Sequence, residues 1–217
     1  MKAIPMKAKR NRWSQTVHLH MQNQMSLYLF VTVLFMMGVI FGAVIVNTLS
    51  PIQKENLLDY LGHFFQGMEG KSVADPRVAF QHSLGDHFKT IGLMWLLGVS
   101  VVGMPFILLL MFLKGMVIGF TVGFLVSQLS WEGLSFAFVS VVPHNLLVVP
   151  VLIIVAVSGI GFSILLTKNR LIQRRGSIYP QFLSYSVLVT SLACVLVLAS
   201  MFEAYVSPVL MRMALPN

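Results

Sequence analysis

The segment LYLFVTVLFMMGVIFGAVIVN, residues 27–47, carries no charge. At a helical rise of about 1.5 Å per residue it is long enough to cross a hydrocarbon core of about 30 Å. Similar runs follow at 91–113, 115–129, 144–166 and 182–205. In lipid each backbone N–H and C=O must be satisfied inside its own segment or by a closed barrel, and such runs read as helices. The expected fold is therefore an all-α integral membrane protein with five transmembrane helices. Composition agrees: 57% of residues are hydrophobic and 10% charged, with a mean hydropathy of +0.83, against about 25% charged in a soluble domain. No room is left for a soluble catalytic domain.

The chain carries a formal charge of +8 and a pI near 9.9. Its cations are clustered. Lys2, Lys7, Lys9, Arg10 and Arg12 fall in the tail 1–26, and Lys168, Arg170, Arg174 and Arg175 in one short loop. Clusters flanking apolar runs follow the positive-inside rule, so no nucleic-acid partner is expected. Both clusters then lie in the cytoplasm with four crossings between them. The N-terminus is cytoplasmic, the loop 48–90 is extracytoplasmic, and a fifth span places the tail 206–217 outside. The first run is too long for a signal peptide and lacks a small-residue cleavage pattern, which marks a retained anchor. Cys194 is the one cysteine; it has no intrachain partner.

The loop 48–90 predicts two helices. Ser50-Pro51 with Gln53 forms a capping box. Behind it Leu57, Leu58, Leu61, Phe64, Phe65 and Met68 recur at helical spacing. A second helix starts at Asp75-Pro76 and carries Phe80, Leu84, Phe88 and Ile91 on one stripe. Leu61, Phe64, Phe65 and Phe80 are the candidate partner surface. Further on, Pro105 is expected to kink the second span and Lys114 to mark a tight interfacial turn.

Gly115, Gly119 and Gly123 form a GxxxGxxxG stripe, and Gly38 and Gly42 repeat the spacing. Glycine lets backbones approach closely, and packing rather than hydrophobicity joins helices in lipid. The stripe suits a partner helix in this chain or in a second copy, so a homo-oligomer fits as well. The segment 133–166 is too long for one straight span. A half-helix, a break at Pro143-His144-Asn145 and a full fourth span fit best. A histidine within the membrane region is by default a functional group, yet a proton or ion relay needs partners, and Lys114 and Glu203 both lie near span ends. His144 and Asn145 read as caps on open backbone groups. His63, His82, Asp86 and His87 are metal-ligating types, but His82 and His87 stand about 140° apart around a helix, and no HExxH pattern occurs. Solvated polar residues are expected there: no metal, no cofactor and no catalytic set.

The stretches SLYLFVTVLFMMGVIFGAVIVNTLSPIQK, IGLMWLLGVSVVGMPFILLLMFLKGMVIGFTVGFLVSQ and FVSVVPHNLLVVP together resemble the stage II sporulation protein M family of endospore-forming bacteria, from Ser26 to about Arg175. The resemblance implies a non-enzymatic, multi-pass scaffold of the cell membrane at the sporulation septum. There it would anchor stage II sporulation proteins D and P, enzymes that degrade septal peptidoglycan for forespore engulfment. The wider superfamily carries Pro-His-Gly-x-x-Glu at the break. Here Pro143 and His144 match, while Asn145 replaces the glycine and Val148 the glutamate, leaving His144 without that carboxylate. The competing reading is a small transporter or channel built on the broken helix at Pro143-His144-Asn145.

Overall fold

A computed structural model describes residues 24–69, 76–169 and 178–213. Residues 1–23 of the basic tail and residues 170–177, with most of the basic loop, lie outside the described residues. All regular structure among the described residues is helical: α1 (Met25–Ile45), α2 (Pro51–Glu69), α3 (Pro76–Gly98), α4 (Gly103–Lys168), α5 (Tyr179–Tyr205) and α6 (Ser207–Met213), with a 3-10 turn at Val46–Thr48. Among the described residues three segments are long and apolar enough to cross a membrane: Met25–Thr48, Gly103–Lys168 and Tyr179–Met211.

The helix α1 is apolar all round, so its small residues rather than its hydrophobicity select the buried face. Val31, Phe35, Gly38 and Gly42 are buried, while Leu29, Phe30, Val33, Met36, Met37, Ile40 and Phe41 are exposed, as lipid-facing residues are. The two glycine motifs pack on one another. A Cβ at Gly38 would run into the Phe112 carbonyl, at Gly42 into Met116, at Gly115 into Phe35 and at Gly119 into Val39, and at Gly123 it would lie 2.8 Å from the Ala43 Cα. Residues 35, 39 and 43 thus face 115, 119 and 123, a parallel seam of backbone on backbone. The stripe's partner is in this chain. Among the described residues α1 makes its main helix contact with this hairpin.

Although α4 contains 66 residues, it is a hairpin. Ser130 takes φ 52° and ψ −125°, a conformation an L-residue adopts only under constraint, and the chain reverses there. Gly133 lets the second arm turn back, since a Cβ there would meet the Leu125 carbonyl. Leu125, Phe136 and Ala137 pack together near the tip. Toward the open end, the Ile107 side chain approaches Gly159. The exposed Trp131 and Glu132 sit at the reversal, where the sequence marks a surface.

Two expectations need correction. The helix does not break at Pro143-His144-Asn145; it runs through Pro143 and Pro150 as one arm. Proline deletes one backbone donor, but Asn145 Nδ2 donates to the Val141 carbonyl at 2.8 Å and Ser140 Oγ to Phe136 at 2.7 Å. Polar side chains thus bond helix carbonyls around the proline. The length that excluded one straight span belongs to a hairpin whose tip, at Ser130, lies about 10 Å beyond Gly123 at helical rise and so past the end of α1. The half-helix before the fourth span is therefore part of that span's own helix.

The second correction concerns the turn placed at Lys114. Lys114 lies mid-helix, one residue before a seam glycine, and the turn is at residues 99–102. Gly98 and Gly103 bracket it: a Cβ at Gly103 would run into the Leu97 carbonyl. Pro105 stands in the first turn of α4, where its missing N–H costs nothing, and kinks no span. Across the bundle Ser163 Oγ donates to the Ser100 carbonyl at 2.8 Å and Thr167 Oγ1 to Val101 at 3.4 Å. These bonds satisfy turn carbonyls that face protein rather than water.

Packed antiparallel to α3, α5 places the Tyr185 hydroxyl 3.3 Å from the Met94 carbonyl and Ser186 Oγ 3.2 Å from Trp95 Nε1. Successive segments alternate in direction. The first α4 arm and α5 run with α1, and α3 and the second α4 arm run against it. Met94, Ile107, Val155, Ile160 and Leu196 fill the common core. The capping box forms at the start of α2, where Ser50 N donates to Gln53 Oε1 at 3.0 Å and Gln53 N to Ser50 Oγ at 3.3 Å.

The seam makes a prediction that separates crowding from glycine content. Gly119→Leu should cost about 1–3 kcal/mol or more by overpacking and lower the amount of folded protein in the membrane. Gly92→Ala, with no atom within 4 Å of the new Cβ, should leave that amount unchanged. Wild-type levels of both variants would show that α1 and α4 do not meet along the glycines.

Candidate functional site

Three helices bring one titratable side chain each to a single point. His87 comes from α3, His144 from the second arm of α4, and Glu203 from the last turn of α5. His144 Nδ1 lies 3.3 Å and His87 Nε2 3.9 Å from Glu203 Oε2. The two rings stack, with centroids 5.2 Å apart and planes inclined by 24°. On the same face of α3, one turn before His87, the Ser83 hydroxyl donates to that carboxylate oxygen.

Local sequence explains the placement. In α3 the small Ser83 and the buried His87, Ile91 and Met94 follow at four, four and three residues, which is a helix face. His82 and Asp86 point away; their side chains are 82% and 51% exposed and 3.5 Å apart. The Lys89–Asp86 pair, also 3.5 Å, is equally superficial and contributes little. His87 by contrast is only 9% exposed, so the expectation of a solvated histidine fails at that position.

The His144 side chain is 15% and that of Glu203 41% exposed. Neither His87 Nε2 nor His144 Nδ1 has a hydrogen-bond partner. Lys114 is near enough for its charge to act on both rings. Polar groups buried among apolar helices cost free energy unless they are paired, and ionisable ones at membrane depth mark function by default.

The remaining sequence candidates fall in different places. Gly38, Gly42, Gly115, Gly119 and Gly123 form the seam. Pro143 and Asn145 stay within the helix, and only His144 reaches the cluster. Leu61 of α2 packs against Leu125 and Phe136, and Phe80 is half-buried in α3. The side chains of Phe64 and Phe65 lie outside the described residues. Val148, one turn beyond His144, is buried in the apolar core. The carboxylate missing there comes instead from Glu203 on another helix. Sequence reasoning set Glu203 aside as a residue near a span end; the available signal was an acid between apolar residues, in MFEAY.

A family model described as stage II sporulation protein M matches residues 31–208. No curated protein and no solved structure matches the chain.

Contact between the three side chains implies energetic coupling. Unfolding of His144→Ala, Glu203→Gln and the double variant should give an interaction energy of about 0.5–3 kcal/mol. His82→Ala, on the exposed face, should leave the melting temperature unchanged. Additive losses would show that His144 and Glu203 do not sense one another.

Proposed function

The chain belongs to the stage II sporulation protein M family, a membrane family of sporulation, and on that premise we propose that it is a non-enzymatic anchor for septal peptidoglycan-degrading enzymes. The partners are stage II sporulation proteins D and P, and the place is the septal membrane at which engulfment of the forespore begins.

The observation that carries this reading is the contrast between α2 and the bundle. The helices α1, α3, α4 and α5 pack closely. The helix α2 stands off at one end with Ile52 at 71%, Leu58 at 40% and Tyr60 at 76% exposure, and Leu61 as its described anchor on the hairpin tip. A folded membrane domain that projects an amphipathic helix suits a docking role better than turnover. The alternating directions of α1, α3, the two α4 arms and α5, taken with the basic tail and loop, support five crossings. The N-terminal tail is then in the cytoplasm, and α2 and the hairpin tip are outside.

A transporter or channel has one observation in its favour, the buried His87–His144–Glu203 group. The surrounding geometry speaks against flux. The helix at His144 is continuous, and the cleft lined by Leu84, His87, Phe88, Ile91, Ala193 and Leu196 is too narrow to hold a solute.

Leu58→Glu with Tyr60→Ala should reduce recruitment of the two hydrolases at least several-fold while the membrane level of the chain stays constant. Purified chain that released muropeptides from sacculi by itself would sink the scaffold reading. In a Cys194→Ala background, Glu55→Cys should react with an impermeant thiol reagent in whole cells and Asn169→Cys should not. The reverse pattern would invert the topology.

A further inference from the structure

We infer that His87 Nε2, His144 Nδ1 and Glu203 Oε2 form a binding site for a divalent transition-metal ion, with Zn2+ as the best-fitting occupant. The three ligand atoms come from three helices and lie within 4.8 Å of one another. Tetrahedral zinc with bonds of about 2.0–2.1 Å sets its ligands about 3.3–3.4 Å apart. The Glu203 oxygen is 3.3 Å from His144 Nδ1 and 3.9 Å from His87 Nε2. The two imidazole nitrogens, within 4.8 Å of one another, must draw together by up to about 1.4 Å to reach that spacing, which rotation of the two rings supplies. An octahedral ion at about 2.1 Å, as for magnesium, would need edges near 3.0 Å, and two imidazoles select a borderline metal over magnesium or calcium.

The burial of the ring nitrogens fits the same role. A metal ligand must present a lone pair, and its other ring nitrogen is commonly held by a carbonyl or carboxylate. His144 Nδ1 and His87 Nε2 are both buried and without a hydrogen-bond partner, as nitrogens that keep a lone pair for a metal are. Ser83 bonds the carboxylate oxygen and fixes its orientation. Glu203 is 41% exposed, so an entry path exists on its side. Lys114 opposes the cation with a nearby positive charge, so the fourth coordination position takes an anionic group, hydroxide or a carboxylate from outside the bundle. Such an ion would tie α3, α4 and α5 together at the end of the bundle where α2 projects.

The test uses the full chain in detergent with any affinity tag removed, and Zn2+ and Co2+ as probes. The expected result is one Zn2+ per chain by elemental mass spectrometry and an intense tetrahedral Co2+ visible spectrum that Zn2+ abolishes. Zn2+ should raise the melting temperature of the wild type. His144→Ala and Glu203→Gln should each lose at least 10-fold in affinity along with that thermal shift, and Ser83→Ala about 10-fold. The histidines of the exposed faces serve as controls, and His63→Ala with His82→Ala should bind as wild type. No Zn2+ on the wild type at micromolar concentration overturns the proposal. So does a weak octahedral Co2+ spectrum, binding that survives in both ligand variants, or binding that disappears with the surface histidines. Should the ligand variants fail to fold, the wild-type spectrum and Ser83→Ala decide the matter.

Discussion

Backbone contact between α1 and the first arm of α4 is the interaction on which the rest of this fold depends. Lipid removes the usual reason for apolar helices to associate, because a leucine is as well solvated by acyl chains as by another leucine. What remains is close packing, which scales with how near two backbones come. Gly38 and Gly42 on one side and Gly115, Gly119 and Gly123 on the other bring main-chain atoms into direct contact. Because the seam is parallel and in register, it fixes where the hairpin stands along α1. That in turn fixes the height of every residue the hairpin carries.

The hairpin converts this register into a site. With Gly115 set against Phe35 and the reversal at Ser130, the second arm descends with His144 level with the polar half of α3. The helix α5 returns antiparallel to α3, anchored at the far end by Tyr185 on Met94 and Trp95 on Ser186. Glu203 therefore arrives beside His87 and His144. Three separate constraints, a glycine seam, a one-residue reversal and an antiparallel pairing, meet in one cluster.

The cluster is costly to maintain in such surroundings, and its composition shows how the cost is limited. The carboxylate is 41% exposed, and Ser83 bonds it. An aliphatic core at those positions would pack with no desolvation penalty. Polar groups retained among apolar helices therefore argue for a ligand or a partner at this end of the bundle, the same end from which α2 extends.

The residue sequence by itself determined the membrane class, the helical fold, the capping box at Ser50 and the existence of a glycine interface. Each of these rests on local periodicity, or on the rule that lipid-embedded backbone bonds itself. It misplaced the turn before α4, since Val99–Val102 is as apolar as the spans around it and only Gly98, Gly103 and Pro105 punctuate the run. It placed a break at Pro143 because proline is read as a helix breaker from its own chemistry, while side-chain bonds and neighbouring helices decide whether it breaks. The glycine stripe was visible, but its partner was not, as any second stripe would satisfy the same geometry. The site was least legible of all. His87, His144 and Glu203 are 57 and 59 residues apart in sequence, and no spacing rule links them. Only the tertiary register brings them together, because contact between helices depends on which faces meet and at what height, and a local pattern encodes the face but not its partner.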